Sequence, residues 1–434
     1  MAFTINTEGA RLRTPKGQQH QNGSAKAPSP TSPTSSANEH PMGAPKHGPG
    51  MQALRIVCFG IYFFGSGIFI HFAQLLGSPL YFVSKDWFYA YMALTKQYFG
   101  LLVTTMTQWW SPTVVRISGD KSMKGLIKLK DNGGGNGMLE VDFGERVVLM
   151  SNHQIYTDWL YLWWIAYTST PPMHGHLYII LKESLKWVPL IGPAMQFYSF
   201  IFMARKWSKD QQRLRYRLQK LNSRHSGPLS GTQGGVQLDP MWLLIFPEGT
   251  NLSANTRKSS AKFAEKSSIP DMKHQILPRS TGLQFCLQEL KDTVPYLYDC
   301  TIAYEGIPPG DYGQDVFTLR SVYFQGRPPK SVNMHWRRFA IKDIPFNDHD
   351  AMYEWILQRW REKDELIGEF MRTGKFPADA EGVTDEGGKE EQRYINTEVK
   401  PRSPLEFLAM FTPVLGAALV GRVSVQMVDR LTGK

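Results

Sequence analysis

The chain has 434 residues, enough to bury a substantial core, and carries a net charge of +11. That balance favours anionic partners. No nucleic-acid-binding signature accompanies it, which leaves anionic lipid or phosphate-bearing substrates and argues against DNA or RNA. The three cysteines (Cys58, Cys286 and Cys300) are odd in number and scattered, which excludes a disulfide framework or a cysteine metal site.

Residues 1–50 are rich in Pro, Ser, Thr and Gly and hold too little apolar surface to offset the entropy of ordering. They are expected to form a disordered tail. The first apolar run starts only after it, which argues against a cleaved signal peptide. Residues 51–115 are expected to be membrane-embedded helices. No charge occurs from Ile56 to Ser84, and Ile56 to Leu76 is long enough to cross a bilayer. A second uncharged stretch, Gln97 to Val115, ends near Trp109 and Trp110; it either spans or lies in the headgroup region. If both segments cross, or both only dip in, the basic tail and the following domain share one face, the cytosolic one by the positive-inside tendency.

Residues 116–345 carry the chemistry. Asp131 to Gly137 reads as a flexible turn before Val147 to Met150, a buried strand. Trp159 to Tyr167 reads as a helix of core or bilayer-facing aromatics, or as the lining for an acyl chain. Between strand and helix stands Asn152-His153-Gln154-Ile155-Tyr156-Thr157-Asp158. Residues five apart on a regular helix are rotated by about 140°. His153 and Asp158 therefore meet only if the histidine lies in the turn and the aspartate in the first turns of the helix. Asp158 then fixes the tautomer and leaves the other ring nitrogen as a base. The plainer alternative is a turn histidine followed by a capping aspartate.

Further along, His174 and His176 lack a partner at metal-ligand spacing and read as surface-loop histidines. Lys182 and Lys186 are either phosphate or CoA contacts or ordinary surface lysines. Phe202-Met203-Ala204-Arg205 ends an apolar stretch in a single arginine. Trp207 to Leu221 reads as a solvated basic helix packed on the sheet, and Asn222 to Pro240 as a loop. Trp242 to Ile245 is strand-like and runs into Phe246-Pro247-Glu248-Gly249-Thr250, where glycine permits close backbone approach and Thr250 adds a hydroxyl. Ile276-Leu277-Pro278-Arg279-Ser280 is a fourth polar-ended block. Thr281 to Leu290 is expected as a helix, and Tyr296 to Tyr304 and Phe317 to Phe324 as strands. Residues 346–375 form a closing amphipathic helix, 376–402 an acidic linker, and 403–434 a membrane-associated segment around Phe407 to Gly421.

Asn-His-x4-Asp, Phe-x-x-Arg, Phe-Pro-Glu-Gly-Thr and an apolar-Pro block, in that order, resemble the glycerolipid acyltransferase family. Its members are the 1-acylglycerol-3-phosphate acyltransferases and related lysophospholipid acyltransferases. Phe246 to Ser253, Phe263 to Lys266 and Leu277 to Gly282 are similar to the eukaryotic branch that includes lysocardiolipin and lysophosphatidylinositol acyltransferases. The resemblance implies an α/β fold, a mixed sheet flanked by helices, preceded by membrane-embedded helices. It also implies an O-acyltransferase that moves an acyl group from acyl-CoA to a free glycerol hydroxyl of lysophosphatidic acid or a related anionic lysophospholipid. His153 would be the general base and Asp158 its orienting partner. Arg205, Glu248, Gly249 and Thr250 would form the glycerol-phosphate pocket, and Arg279 and Lys182 would add substrate contacts. No cofactor or metal is implied, since acyl-CoA is a co-substrate. The implied location is the endoplasmic reticulum membrane with the catalytic domain cytosolic. Asn251 departs from the family's frequent Arg, and Arg257 and Lys258 are candidates to supply that charge. A CoA-independent transacylase, a hydrolase and a non-catalytic membrane-remodelling protein are the rival readings.

Overall fold

The computed structural model describes residues 40–130, 137–189, 191–222, 224–225, 237–379, 381–385, 393–419 and 422. The expectations for the first 39 residues, the Gly-rich turn, most of the 222–240 loop, the end of the acidic linker's first half and the extreme C-terminus lie outside the described residues.

One sheet organises the chain. Its strands are β1 (Val114–Gly119), β2 (Arg146–Ser151), β3 (Leu177–Lys182), β4 (Ile201–Met203), β5 (Met241–Ile245), β6 (Tyr296–Tyr304), β7 (Ser331–Ala340) and β8 (Ile395–Glu398). They lie in the order β8-β1-β7-β6-β2-β5-β3-β4. The run from β6 to β4 is parallel, and antiparallel pairing of β6 with β7 and of β1 with β8 makes the sheet mixed. Val147 to Met150 and Trp242 to Leu244 are wholly buried, because helices cover both faces and leave no side chain of these strands for water. Side chains alternate between two cores. Val147 and Leu149 enter one with helix α3 (Asp158–Thr168); Val148 and Met150 enter another with α4 (Trp207–Leu221), α6 (Ser280–Leu290) and α7 (His349–Thr373). A further helix, α5 (Ala254–Lys266), follows β5. Met150 stands opposite Ile245, so the C-terminal ends of β2 and β5 share one edge, where α/β sheets place their chemistry.

Two long helices precede the sheet, α1 (Pro49–Gly77) and α2 (Lys85–Trp110), with a short helical turn, Leu80–Val83, between them. Among the described residues, one helical stretch, Pro49–Val83, is long and apolar enough to cross a membrane by length and composition. Leu54, Val57, Ile61, Phe64, Ile68 and Phe72 recur every three or four residues and are each at least 50% exposed, which makes one unpartnered apolar face. The opposite face, including Phe59, Tyr62, Phe63 and Ile70, packs into the protein. Gln97 to Val115 differs from expectation. Leu101 to Met106 are buried, and a Cβ on Gly100 would lie 2.7 Å from the Trp163 indole nitrogen. This part of the stretch packs between α1 and α3.

The exposed stripe of α1 gives a direct test. Replacing Ile61, Phe64 and Ile68 together by Asp removes three apolar side chains, each worth about 1.5–3 kcal/mol when buried. Partition onto anionic liposomes is expected to fall at least about 10³-fold, read by co-sedimentation of the purified chain. Unchanged partition would locate the membrane contact elsewhere.

Several other expectations are corrected. His40 to Gly48 belongs to the folded part: the His40 ring nitrogen lies 3.0 Å from the Val316 carbonyl, and Met42 sits against Gly306 and Phe317. Phe317 to Phe324 is helical turn and not strand. The Val322 N–H donates to the Thr318 carbonyl and the Gln325 N–H to the Arg320 carbonyl, both at 3.0 Å, and the distant Arg55 occupies the Tyr323 carbonyl, so acceptors a strand would need are already taken. The second half of the acidic linker supplies β8, an edge strand on β1. The start of the C-terminal segment lies against the protein, with Phe407 on Trp109 at 5.1 Å between centroids and Phe411 on Phe69 at 5.1 Å, while Leu415 and Leu419 further along are exposed. His174 is buried against Tyr167, and burial pushes its imidazole down to about 3. It is a neutral core histidine.

Candidate active site

The histidine loop is built from the end of β2. Asn152 is fully buried; its amide donates to the Ile302 carbonyl at 3.0 Å and accepts from the Ile302 N–H at 2.8 Å, which stitches the loop to β6. His153 follows in the turn, and α3 starts at Asp158. His153 Nδ1 donates to Asp158 Oδ2 at 2.7 Å. The same oxygen accepts the Gln154 and Ile155 N–H groups at 2.6 and 3.1 Å, and the other oxygen accepts the Tyr304 hydroxyl. A buried carboxylate that receives four donors in the first turn of a helix is held by hydrogen bonds and by the helix dipole. Since the carboxylate only accepts, Nδ1 carries the ring proton and Nε2 presents a lone pair. The ring stacks on Phe246 with centroids 4.4 Å apart, and 19% of the side chain is exposed. A small substrate group can therefore reach it.

The second block follows β5. A turn closes with the Gly249 N–H on the Phe246 carbonyl at 2.9 Å, and Gly249 adopts φ +72°, a conformation that strains any residue with a Cβ. Gly249 is exposed and Thr250 half-buried on this edge. Glu248 turns inward instead of lining the pocket expected for it. It is 2% exposed, and its Oε1 accepts both the His153 N–H and the Trp360 indole N–H at 3.3 Å. Burial holds its carboxyl well above the usual carboxylate range. Its observed work is to tie the histidine loop to α7. The Leu252 N–H adds a second tie, to the His153 carbonyl at 2.8 Å.

Arg205 leaves β4 with φ +64°, which is rare outside glycine. The buried Asp210 carboxylate holds this bend by accepting the flanking Ala204 and Lys206 N–H groups at 2.8 and 2.9 Å. Partial burial and repulsion from Arg279 lower the Arg205 guanidinium from its ordinary value. Arg279 starts α6; its N–H donates to the Pro247 carbonyl at 2.8 Å, and its side chain lies beside Gly249. Among the described residues neither arginine has a carboxylate partner. Lys182 is exposed at the end of β3, opposite Met203, so it shares this edge without touching His153 or Asp158. Arg257 is differently employed: its guanidinium binds the Gln275 and Lys273 carbonyls and clamps a loop. Beside Gln154 a cavity of about 390 Å³ opens, walled by Gln154, Leu252 and Tyr304 among others.

Two family models match the chain, one described as Acyltransferase over residues 130–305 and one as Acyltransferase C-terminus over residues 323–411. An uncharacterized acyltransferase of Schizosaccharomyces pombe is 37% identical over 366 residues, covering 84% of this chain and 94% of the relative. This chain belongs to the glycerolipid acyltransferase family. It is an O-acyltransferase. Within the family, a 2-acyl-1-lysophosphatidylinositol acyltransferase of Saccharomyces cerevisiae is 38% identical over 352 residues, or 75% of this chain and 87% of the relative. Lysocardiolipin acyltransferase 1 of Gallus gallus is 32% identical over 237 residues, covering 54% of this chain and 56% of the relative. The second family model spans β7 and all of α7, so the family's C-terminal region includes Trp360, the partner of Glu248. Trp360 and Tyr304 are the site's supporting residues that no motif spacing announced, whereas Asn152 stood in the first block without a role assigned to it.

Proposed function

We propose that the chain is an acyl-CoA-dependent lysophospholipid acyltransferase. The observation that carries this is a histidine whose Nδ1 is held by Asp158 and whose Nε2 makes no hydrogen bond among the described residues, together with Arg205 and Arg279, which repel each other and have no carboxylate partner among the described residues. Nε2 takes the proton of a free glycerol hydroxyl as that oxygen attacks the thioester carbonyl. The tetrahedral intermediate collapses, the C–S bond breaks, and the imidazolium returns the proton to the departing CoA sulfur. A positioned base contributes about 10² to 10⁴ in rate. Asp158 stabilises the imidazolium in between. Transfer is taken to be direct: Ser151, two residues before His153, is fully buried with its hydroxyl on the Asn152 carbonyl, and Cys300 is fully buried too.

Arg205 and Arg279, with the Gly249-Thr250 turn, hold the acceptor's phosphate as a charge-assisted contact. Lys182 takes a phosphate of CoA. The names of the relatives point to an anionic acceptor: lysophosphatidylinositol, lysophosphatidic acid or lysocardiolipin. The exposed face of α1 and the basic net charge support work at an anionic membrane surface, which we assign to the cytosolic face of the endoplasmic reticulum, where acyl-CoA is available.

The test offers membranes carrying wild type or His153→Ala a panel of lysophospholipids with labelled acyl-CoA. Label is expected in at least one acceptor with wild type, and at least about 10²-fold less with the variant. If wild type labels no acceptor, acyl-CoA is not the donor and the reading fails.

A further inference from the structure

We propose that Tyr304 is a third member of the His153–Asp158 pair, a positioning residue whose hydroxyl keeps the aspartate an ionised acceptor and so keeps the ring proton of His153 on Nδ1. Such a role rests on the reading of His153 as the general base, and it gives the reaction a residue outside all four sequence blocks.

The two oxygens of Asp158 are held differently. Oδ2 takes the His153 ring N–H at 2.7 Å and the Gln154 and Ile155 N–H groups at 2.6 and 3.1 Å. Those three donors already fix the orientation of the carboxylate. Oδ1 has one donor among the described residues, the Tyr304 hydroxyl. Tyr304 arrives there by strand period. The backbone of Ile302 holds Asn152, and two residues further along β6 the next side chain on that face reaches the carboxylate. The Tyr304 ring is buried, with centroids 6.1 Å from those of both Tyr161 and Phe317. Asp158 is fully buried as well, so bulk water does not replace the bond.

Charge is what this bond controls. The titratable groups that face Asp158 are His153 in the loop, Tyr161 of α3, Glu248 after β5, and Cys300 and Tyr304 of β6. Burial pushes Tyr161, Cys300 and Tyr304 up, so they stay protonated at neutral pH, and it holds the Glu248 carboxyl toward its neutral form. Lys363 of α7, which faces Glu248 and Cys300, is paired with Asp299 at 2.5 Å. The anion at Asp158 therefore depends on its hydrogen bonds, and a hydrogen bond to a charged form favours that form. Without the Tyr304 hydroxyl, one oxygen of a buried carboxylate is bare, and the pair binds an extra proton more readily. A protonated Asp158 donates to Nδ1 instead of accepting from it. The ring proton then sits on Nε2, and the base is lost.

The experiment measures kcat and KM of the full-length protein between about pH 5 and pH 9, with labelled acyl-CoA and either lysophosphatidic acid or lysophosphatidylinositol as acceptor. Tyr304→Phe keeps the ring and its packing and removes only the donor. Reading each variant as a ratio to wild type at the same pH cancels titration of the acceptor. The acid limb of kcat/KM, which belongs to the coupled pair, is expected to move up by about one pH unit, the size that one hydrogen bond to a charged group predicts. The loss is then about tenfold below the limb and at most about threefold above it, carried by kcat and not by KM. Tyr161→Phe is the control: it removes a hydroxyl that binds Thr113 from the same aromatic group, and its limb is expected to coincide with that of wild type. Four outcomes overturn the role of Tyr304: a limb that stays in place, an equal loss at every pH, a limb moved as far by Tyr161→Phe, or loss of the fold in Tyr304→Phe, which would make the hydroxyl a structural bond. A wild type that acylates neither acceptor refutes the parent reading instead, and is told apart by that total inactivity.

Discussion

Asp158→Asn is expected to lower kcat for acyl transfer by about 10³- to 10⁴-fold while leaving the protein folded, by analogy with loss of the aspartate behind a catalytic histidine elsewhere. The geometry keeps the two consequences apart. In the asparagine variant the amide oxygen can still receive the His153 ring N–H and the Gln154 and Ile155 N–H groups, which all converge on Oδ2. The amide nitrogen then faces the Tyr304 hydroxyl, whose oxygen can accept. What disappears is the negative charge that stabilises the imidazolium once Nε2 has taken a proton. Asp158→Ala removes the acceptors as well and strands two buried N–H groups, at about 1–3 kcal/mol each. Stability in mild detergent and single-turnover acylation, measured side by side, should therefore show one variant slow and stable and the other slow and unstable. Equal activity of wild type and Asp158→Asn would remove the histidine from the chemistry.

How much of this could be read from the sequence follows the range of the forces involved. Continuous apolar runs such as Val147 to Met150 announced buried strands, and the five-residue spacing from His153 to Asp158 required a turn followed by a helix start, as found. β7 was legible in principle: Val332, Met334 and Trp336 alternate with Asn333, His335 and Arg337 at strand period. Glu248 could not be placed from the sequence. A glutamate between Pro and Gly in a polar turn reads as solvent-facing, and only α7, more than a hundred residues later, supplies the indole that draws it inward. The same holds for Gln97 to Val115, since absence of charge marks contact with apolar matter without saying whether it is lipid or protein. The cavity beside Gln154 draws its walls from five separate parts of the chain, and no local pattern encodes it.

The largest expected loss of stability lies behind the site, at Asp299. This fully buried carboxylate lies 2.5 Å from the Lys363 ammonium of α7 and accepts the Arg337 Nε–H of β7 at 2.8 Å, while Arg337 also reaches Glu362 at 2.5 Å. Lys363 also donates to the Cys300 carbonyl at 2.6 Å. Burial lowers the Lys363 ammonium from its ordinary value and Asp299 opposes that shift, so the ion pair is what keeps the charge tolerable. Asp299→Ala leaves that ammonium with neutral acceptors only, and is expected to cost about 3–5 kcal/mol in denaturant titration. Lys363→Met should cost less, because Asp299 keeps Arg337. The combined Asp299→Ala/Lys363→Met variant should recover part of the loss, whereas a deficit caused by a cavity would deepen. The consequence for chemistry runs along the same two elements. β6 carries Asp299 toward α7, Ile302 toward Asn152 and Tyr304 toward Asp158, and α7 carries Trp360 to Glu248 within one turn of Lys363. Loosening the buried pair therefore slackens both supports of the His153 loop, and kcat should fall before global unfolding begins.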